Sequence, residues 1–394
     1  MIKQMLAMTA MNVRNIRFRI GASSVAVLGV AAVVGVFAAV LSMAAGFERT
    51  MAAAGSEDTA IVMRKGASAE LNSGISNEAR QIISAADGVL RNGDGKPIAS
   101  GELYVVVDRP IKATGTGANV PLRGVEAPAF VVRNNIRMVA GRVFEAGKQE
   151  LVVGRAAQQQ FAGLDLGATV KFGKSKWTVV GVFDAGGSVS ESELWCDIKV
   201  LQSAYQRGNS YQSVRVKLTS PAALETFSAA LAADPRLNVS VSSEMEYYAN
   251  QSRDLARFIR IVGYPLAILM AIGAIFGALN TMYASVAARA REIATLRAMG
   301  FGPVAVAIAT LLESAFLSLL GGFLGGVLTY LIFNGYQVAT LNGSSFSQVV
   351  FAFAVTPELL FKGLIAALLI GMLGGLFPAL RAARLPVATA LREL

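Results

Sequence analysis

The chain has 394 residues, 54% of them apolar and 16% charged, with a mean hydropathy of +0.52, which excludes a wholly soluble fold. It has no His and one cysteine, Cys196, which excludes His-based acid–base chemistry, His-containing zinc sites and an intrachain disulfide. The net charge of +10 is uneven: residues 48–260 carry only +3 of it, and no basic patch is interleaved with stacking aromatics, so nucleic acid is not an expected partner.

Residues 1–19 place Ile2, Met5, Leu6, Thr9, Val13 and Ile16 at three- and four-residue intervals, with Ile20 continuing the series. Basic residues fill the rest of the helix surface, which predicts an amphipathic helix lying on the inner leaflet. Ile20 to Phe47 is 28 residues without a charge and gives a first span over 20–46. Ala44-Ala45-Gly46 resembles a signal-peptide cleavage site, but the apolar run is about twice the usual h-region, so a retained anchor is expected.

Residues 47–257 return to a soluble balance and predict an α+β domain. Strand-type runs fall at 103–107, 130–133, 151–153, 169–172, 177–183 and 213–218, and helical stretches at 76–84, 155–162, 198–206 and 221–233. The glycines between 91 and 120 read as loop, with a boundary near residue 120 and an inserted subdomain over about 120–200. Gly167 to Ser175 imitates a phosphate loop. It has five residues between its glycines where the motif has four, and a strand follows where a helix is required. With no other such loop in the chain, ATP hydrolysis would have to come from another polypeptide.

From Glu244 the helical pattern begins well before the membrane, so the second span, 258–288, is expected to project outward as a stalk with a kink at Pro265. Residues 289–302 form a short connection. Ile293, Leu296 and Met299 share a helical face, Gly300 supplies a C-cap and Pro303 restarts the chain. That helix reads either as a docking knob or as an interfacial turn. A third span over 303–334, an outer loop over 335–358, a fourth span over 359–380 and a tail over 381–394 complete the chain. Basic residues cluster before span one, after span two and in the tail, which places both termini in the cytoplasm and residues 47–257 outside. Glu313 lies ten residues into span three and reads as an interhelix hydrogen-bonding group. Gly273 and Gly277, Gly321 and Gly325, and Gly371 and Gly375 are small-residue pairs that fit helix packing within one chain or across a dimer.

These residues carry a resemblance. Asn12 to Arg19 leading into span one, Gly141 to Phe144, Glu150 to Gly154, Val179 to Phe183, Arg291 to Gly300, Pro378 to Arg384 and Ala390 to Glu393 resemble the MacB/FtsX-like permease family of ABC transporters. The resemblance implies a membrane protein of four transmembrane α-helices with a large α+β extracytoplasmic domain between spans one and two, in a bacterial inner membrane. It implies a non-catalytic permease that binds no cofactor itself, with ATP and Mg held by a separate ABC ATPase. Glu292, Ile293, Leu296, Arg297 and Met299, closed by Gly300, would contact that ATPase, with the N-terminal helix as a second contact. A second copy or sister permease, membrane lipid and a periplasmic membrane-fusion adaptor are the other expected partners. The expected work is export or extraction of a substrate from the periplasm or outer leaflet. The alternative is a signalling scaffold that regulates an extracytoplasmic enzyme such as a cell-wall hydrolase. Nothing in the residues specifies the substrate.

Overall fold

The computed structural model describes residues 8, 9, 11, 20–343 and 345–387. The helix expected over 1–19, apart from Met8, Thr9 and Met11, lies outside the described residues, as does the tail motif at 390–393. The chain divides into two compact units. One consists of 1–45, 257–336 and 353–394, the other of 46–256 and 337–352.

The first unit is helical. Among the described residues, four helices are long and apolar enough to cross a membrane: α1 (Ile20–Ala52), α7 (Glu244–Ala288), α9 (Pro303–Phe333) and α10 (Pro357–Ala383). A short helix, α8 (Ala290–Ala298), lies between α7 and α9. Prolines open α9 and α10 at their first turn, where the missing N–H costs nothing, and the Thr356 hydroxyl caps α10 by accepting the Leu359 N–H at 3.3 Å. Pro265 sits inside α7 without ending it, so the helix runs unbroken for 45 residues. Val30, Val33 and Val34 of α1 pack with Ala367 and Ile370 of α10. The α7 side chains Phe258, Ile261, Leu269 and Phe276 remain exposed, as suits a helix whose solvent is hydrocarbon.

The second unit is a mixed α/β domain lying in sequence between α1 and the membrane part of α7. Its strands are β1 (Thr59–Arg64), β2 (Ala99–Pro110), β3 (Gly117–Val125), β4 (Arg137–Gly141), β5 (Glu150–Gly154), β6 (Thr169–Phe172), β7 (Ser175–Asp184), β8 (Leu194–Asp197), β9 (Ser213–Lys217) and β10 (Val239–Ser243). They form one sheet in the order β10-β1-β9-β2-β3-β8-β5-β7-β4, with β6 pairing the other end of β7. Helices α2 (Asn77–Ala85), α3 (Ala129–Val132), α4 (Arg155–Gln160), α5 (Ile198–Ala204) and α6 (Ala223–Ala233) connect them. The apolar run Leu151–Val153 of β5 is buried on both faces: Leu151 and Val153 join the main core, while Val152 faces the other side with Phe183 and Trp195.

Three expectations change here. Phe130–Arg133 is not a strand; Pro128 sits in the right-handed region and starts the short helix α3, so a four-residue apolar run was read with the wrong period. The stretch leading to residue 120 is not all loop: β2 and β3 form a continuous antiparallel pair from Leu103–Gly124 to Pro110–Gly117 within the one sheet. The loop expected over 335–358 contains a hairpin, β11 (Gln337–Asn342) and β12 (Ser347–Ala352), and this hairpin belongs to the mixed domain.

Candidate functional site

The junction between α7 and α9 is built on one interrupted turn. Arg289 leaves helical geometry at φ −106° and ψ 13°, and α8 starts on the next residue. Its side chain is buried, donates to Ser285 Oγ at 3.2 Å and forms an ion pair with Glu313 of α9. A charge pair out of water is stable only when well bonded, and cutting one partner costs far more than the pair contributes. Glu313 is thus an interhelix bonding group, and its partner is the residue that ends α7.

Past Arg289, α8 turns most of its apolar face inward. Ile293 is 6% exposed and packs with Val286, Ala305, Val306, Ala309 and Ala382. Leu296 and Phe301 flank the same cluster. The Gly300 N–H donates to Arg297 O and the Phe301 N–H to Leu296 O, both at 3.1 Å, and Gly300 takes φ +96°, where a Cβ would be strained. That Schellman closure brings Phe301 back over Leu296. Arg297 donates to the Leu385 carbonyl. Glu292 is exposed, and Met299 is 65% exposed. The six residues singled out in this loop therefore divide. Ile293 belongs to the chain's own core, Leu296 and Arg297 are half-buried, Gly300 shapes the turn, and Glu292 and Met299 form accessible surface.

The glycine pairs divide too. A Cβ on Gly321 would lie 2.6 Å from the Val27 carbonyl, and one on Gly325 would strike the Ala31 carbonyl, so this pair seats α9 on α1. Gly371 and Gly375 meet Ser318 and Ser314 of α9, and the Ser314 hydroxyl donates to Gly371 O at 2.7 Å. A Cβ on Gly273 or Gly277 of α7 would meet nothing within 4 Å among the described residues beyond its own helix.

The mixed domain holds a feature that no local pattern announced. Arg123, Arg133 and Arg215 are buried with Glu70, Glu102, Glu193 and Glu244. Arg123 reaches Glu70 and Glu193 at 2.7 Å and Glu102 at 2.8 Å. Arg133 meets Glu102 at 2.7 Å, and Arg215 meets Glu102 at 2.5 Å and Glu244 at 2.9 Å. Burial alone would raise the Glu102 carboxyl, but attraction from Arg133, Arg215 and Arg123 outweighs it and holds the group at about 2. Glu70 is likewise held well below its usual range, burial being overcome by Arg123 and Arg215. Glu244 is the first residue of α7, so the cluster fixes the base of that helix to β2, β3 and β9. Beside it a cavity of about 30 Å³ is lined by Tyr104, Tyr247, Gln251, Asn342 and Ser347, room for a single water. The carboxylates are saturated by guanidinium groups and enclosed, which is structural chemistry with no nucleophile–base pair. Among the described residues no group of His, Cys, Asp or Glu is arranged to hold a metal. The phosphate-loop imitation at 167–175 is strand β6 with the tight turn at Gly173 and Lys174 that leads into antiparallel β7.

Comparison with known proteins gives two adjoining matches. The profile of the MacB-like periplasmic core domain matches residues 23–234, more than half of the chain, and that of the FtsX-like permease C-terminal region matches residues 265–387. The macrolide export ATP-binding/permease protein MacB of Pasteurella multocida is 25% identical over 304 residues, covering 73% of this chain and 45% of that protein. The probable syringafactin export ATP-binding/permease protein SyfD of Pseudomonas syringae is 30% identical over 304 residues, 71% of this chain and 43% of its own length. The cell division protein FtsX of Streptococcus pneumoniae is 32% identical over 125 residues, 31% of this chain and 39% of that protein. The chain thus spans less than half the length of each of these relatives.

Proposed function

Because the chain belongs to the MacB/FtsX-like family of ABC transporter permeases, we propose that it is the non-catalytic membrane subunit of an ATP-driven export or extraction machine. An ABC ATPase on the cytoplasmic side supplies hydrolysis, and two permease chains carry the motion to mixed domains in the periplasm. The observation that supports this reading best is the junction at Arg289. A helix of nine residues is packed on Ile293, locked by a buried ion pair to α9, and leaves Glu292 and Met299 outward. A helix so held transmits a push on its exposed side to α7 and α9 together, because the core leaves it little room to slide. Docking through Met299 and Glu292 replaces the broader apolar face that includes Ile293.

The test is co-expression with candidate ABC ATPases, measuring complex recovery and ATP turnover for wild type and Met299→Asp. Met299 is exposed, so the substitution leaves the fold and membrane level intact while placing a charge in an apolar contact. Loss of the complex at normal membrane level is the expected result. A Met299→Asp chain that binds and couples like wild type would reduce α8 to a membrane turn. The match to FtsX, a cell division protein, covers 125 residues and supports a second reading, an ATP-driven scaffold that regulates an enzyme outside the membrane. The match of the periplasmic core over 23–234 favours the export reading.

A further inference from the structure

The hairpin β11–β12 is encoded between α9 and α10, yet it is built into the mixed domain. A two-stranded hairpin alone is marginal in water, so its order must come from what it packs on. Val349, Val350 and Phe351 are buried, and Val350 is part of the domain's main core. Phe351 stacks edge-on against Phe47 at 5.5 Å. The Tyr104 and Ser347 hydroxyls share a buried hydrogen bond of 2.6 Å. Ser192 Oγ accepts the Val350 N–H at 2.9 Å, and Asn119 donates to Phe346 O at the same distance. Asn342 donates to Gln251 of α7 at 3.1 Å.

The links from the hairpin back to the membrane helices are short. Three residues separate Phe333 from Gln337, and four separate Ala352 from Pro357. The two links are also bonded to each other: Gly335 N–H to Phe353 O and Phe353 N–H to Tyr336 O, both 3.0 Å, and Val355 N–H to Asn334 Oδ1 at 3.2 Å. At about 3.5 Å per extended residue they hold little slack.

We propose that the hairpin Gln337–Ala352 is a clasp through which α9 and α10 restrain and drive the mixed domain, a load path additional to that along α7. What the load is used for rests on the permease reading above; whether the path exists does not.

Two measurements on the intact chain in lipid nanodiscs decide it. Amide exchange of Val349–Phe351 is expected to be at least about a hundredfold slower than that of an unstructured loop and to match β3, as for a segment inside a core. Loop-like exchange would overturn the clasp. The second uses spin labels at Lys171→Cys in the domain and Glu358→Cys at the start of α10, both exposed, with native Cys196 buried away from the reagent. Insertion of about six Gly/Ser residues between Tyr336 and Gln337 and again between Ala352 and Phe353 adds on the order of 13 Å of reach per link. The label-to-label distance distribution is then expected to widen about twofold or more. An unchanged width would mean that α1 and α7 alone hold the domain, and the proposal would fail. Neither measurement needs an ATPase, so failure of the clasp and failure of the permease reading are told apart.

Discussion

Buried charge is held by close partners at two places in the chain, Glu102 in the mixed domain and Arg289 with Glu313 among the membrane helices. Glu102 is surrounded by three guanidinium groups that hold its carboxyl at about 2, against an unfolded value of about 4.3. A depressed folded pKa contributes stability that is present above the unfolded value and is lost as pH falls toward the folded one. The mixed domain is therefore expected to lose thermal stability progressively between about pH 5 and pH 2, read by tryptophan fluorescence, since Trp177 and Trp195 both lie in its sheet. Glu102→Gln should cost about 3–5 kcal/mol at neutral pH, by leaving guanidinium charge uncompensated, and should flatten the acid slope. An unaltered slope in that variant would assign the acid sensitivity to other groups. Arg289 and Glu313 give the membrane counterpart. Arg289→Ala strands a buried carboxylate and is expected to lower the unfolding temperature in detergent, while Arg289→Leu with Glu313→Leu recovers most of the loss. Equal loss in single and double variants would mean that packing, not charge, is what Arg289 supplies.

At the scale of elements, the sequence made some features plain and hid others for physical reasons. Spans were legible because hydrocarbon forces long uncharged runs, and the end of α8 was legible because Gly300 and Pro303 punctuate it. The glycine spacing announced close helix contacts without saying which ones. Gly321 and Gly325 proved to face α1, whereas a Cβ on Gly273 or Gly277 would meet no other element among the described residues. Gly325→Val is accordingly expected to abolish stable membrane accumulation by driving α1 off α9, and Gly277→Val to leave the single chain's level unchanged, both measured by quantitative blotting of membranes. Equal accumulation of the two would remove the α1–α9 contact as a fold determinant. Strand β3 escaped notice because Gly, Pro and Arg interrupt its apolar pattern, and β8 because it is only four residues long; Arg123 in β3 points at Glu70, Glu102 and Glu193, which are remote in sequence. No local spacing encodes such a cluster: its seven charges are scattered between residues 70 and 244 and meet only after the sheet forms. The burial of Ile293 was hidden for a different reason. One face of a short helix is apolar whether it meets a partner or its own neighbours, and here the neighbours are Val286 before it, Ala305, Val306 and Ala309 after it, and Ala382 of α10.

For the whole molecule, domain order in sequence and unity in space part company. Residues 46–256 look like a self-sufficient insertion, and the composition from Glu48 onward supports that, yet the unit is completed by 337–352. The hairpin was hidden because a short polar-flanked stretch between two spans has the statistics of a loop, while its apolar residues Val349, Val350 and Phe351 find their partners more than a hundred residues upstream. This interleaving sets an order of synthesis. When residue 256 leaves the ribosome, the main core still lacks Val350, and its missing piece is about eighty residues away, beyond two membrane helices. At roughly 5–20 residues per second, that is a wait of about 4 to 16 s. The domain must pass that interval unsealed, with its hairpin seat open, until the third span has been made and the chain doubles back to close it.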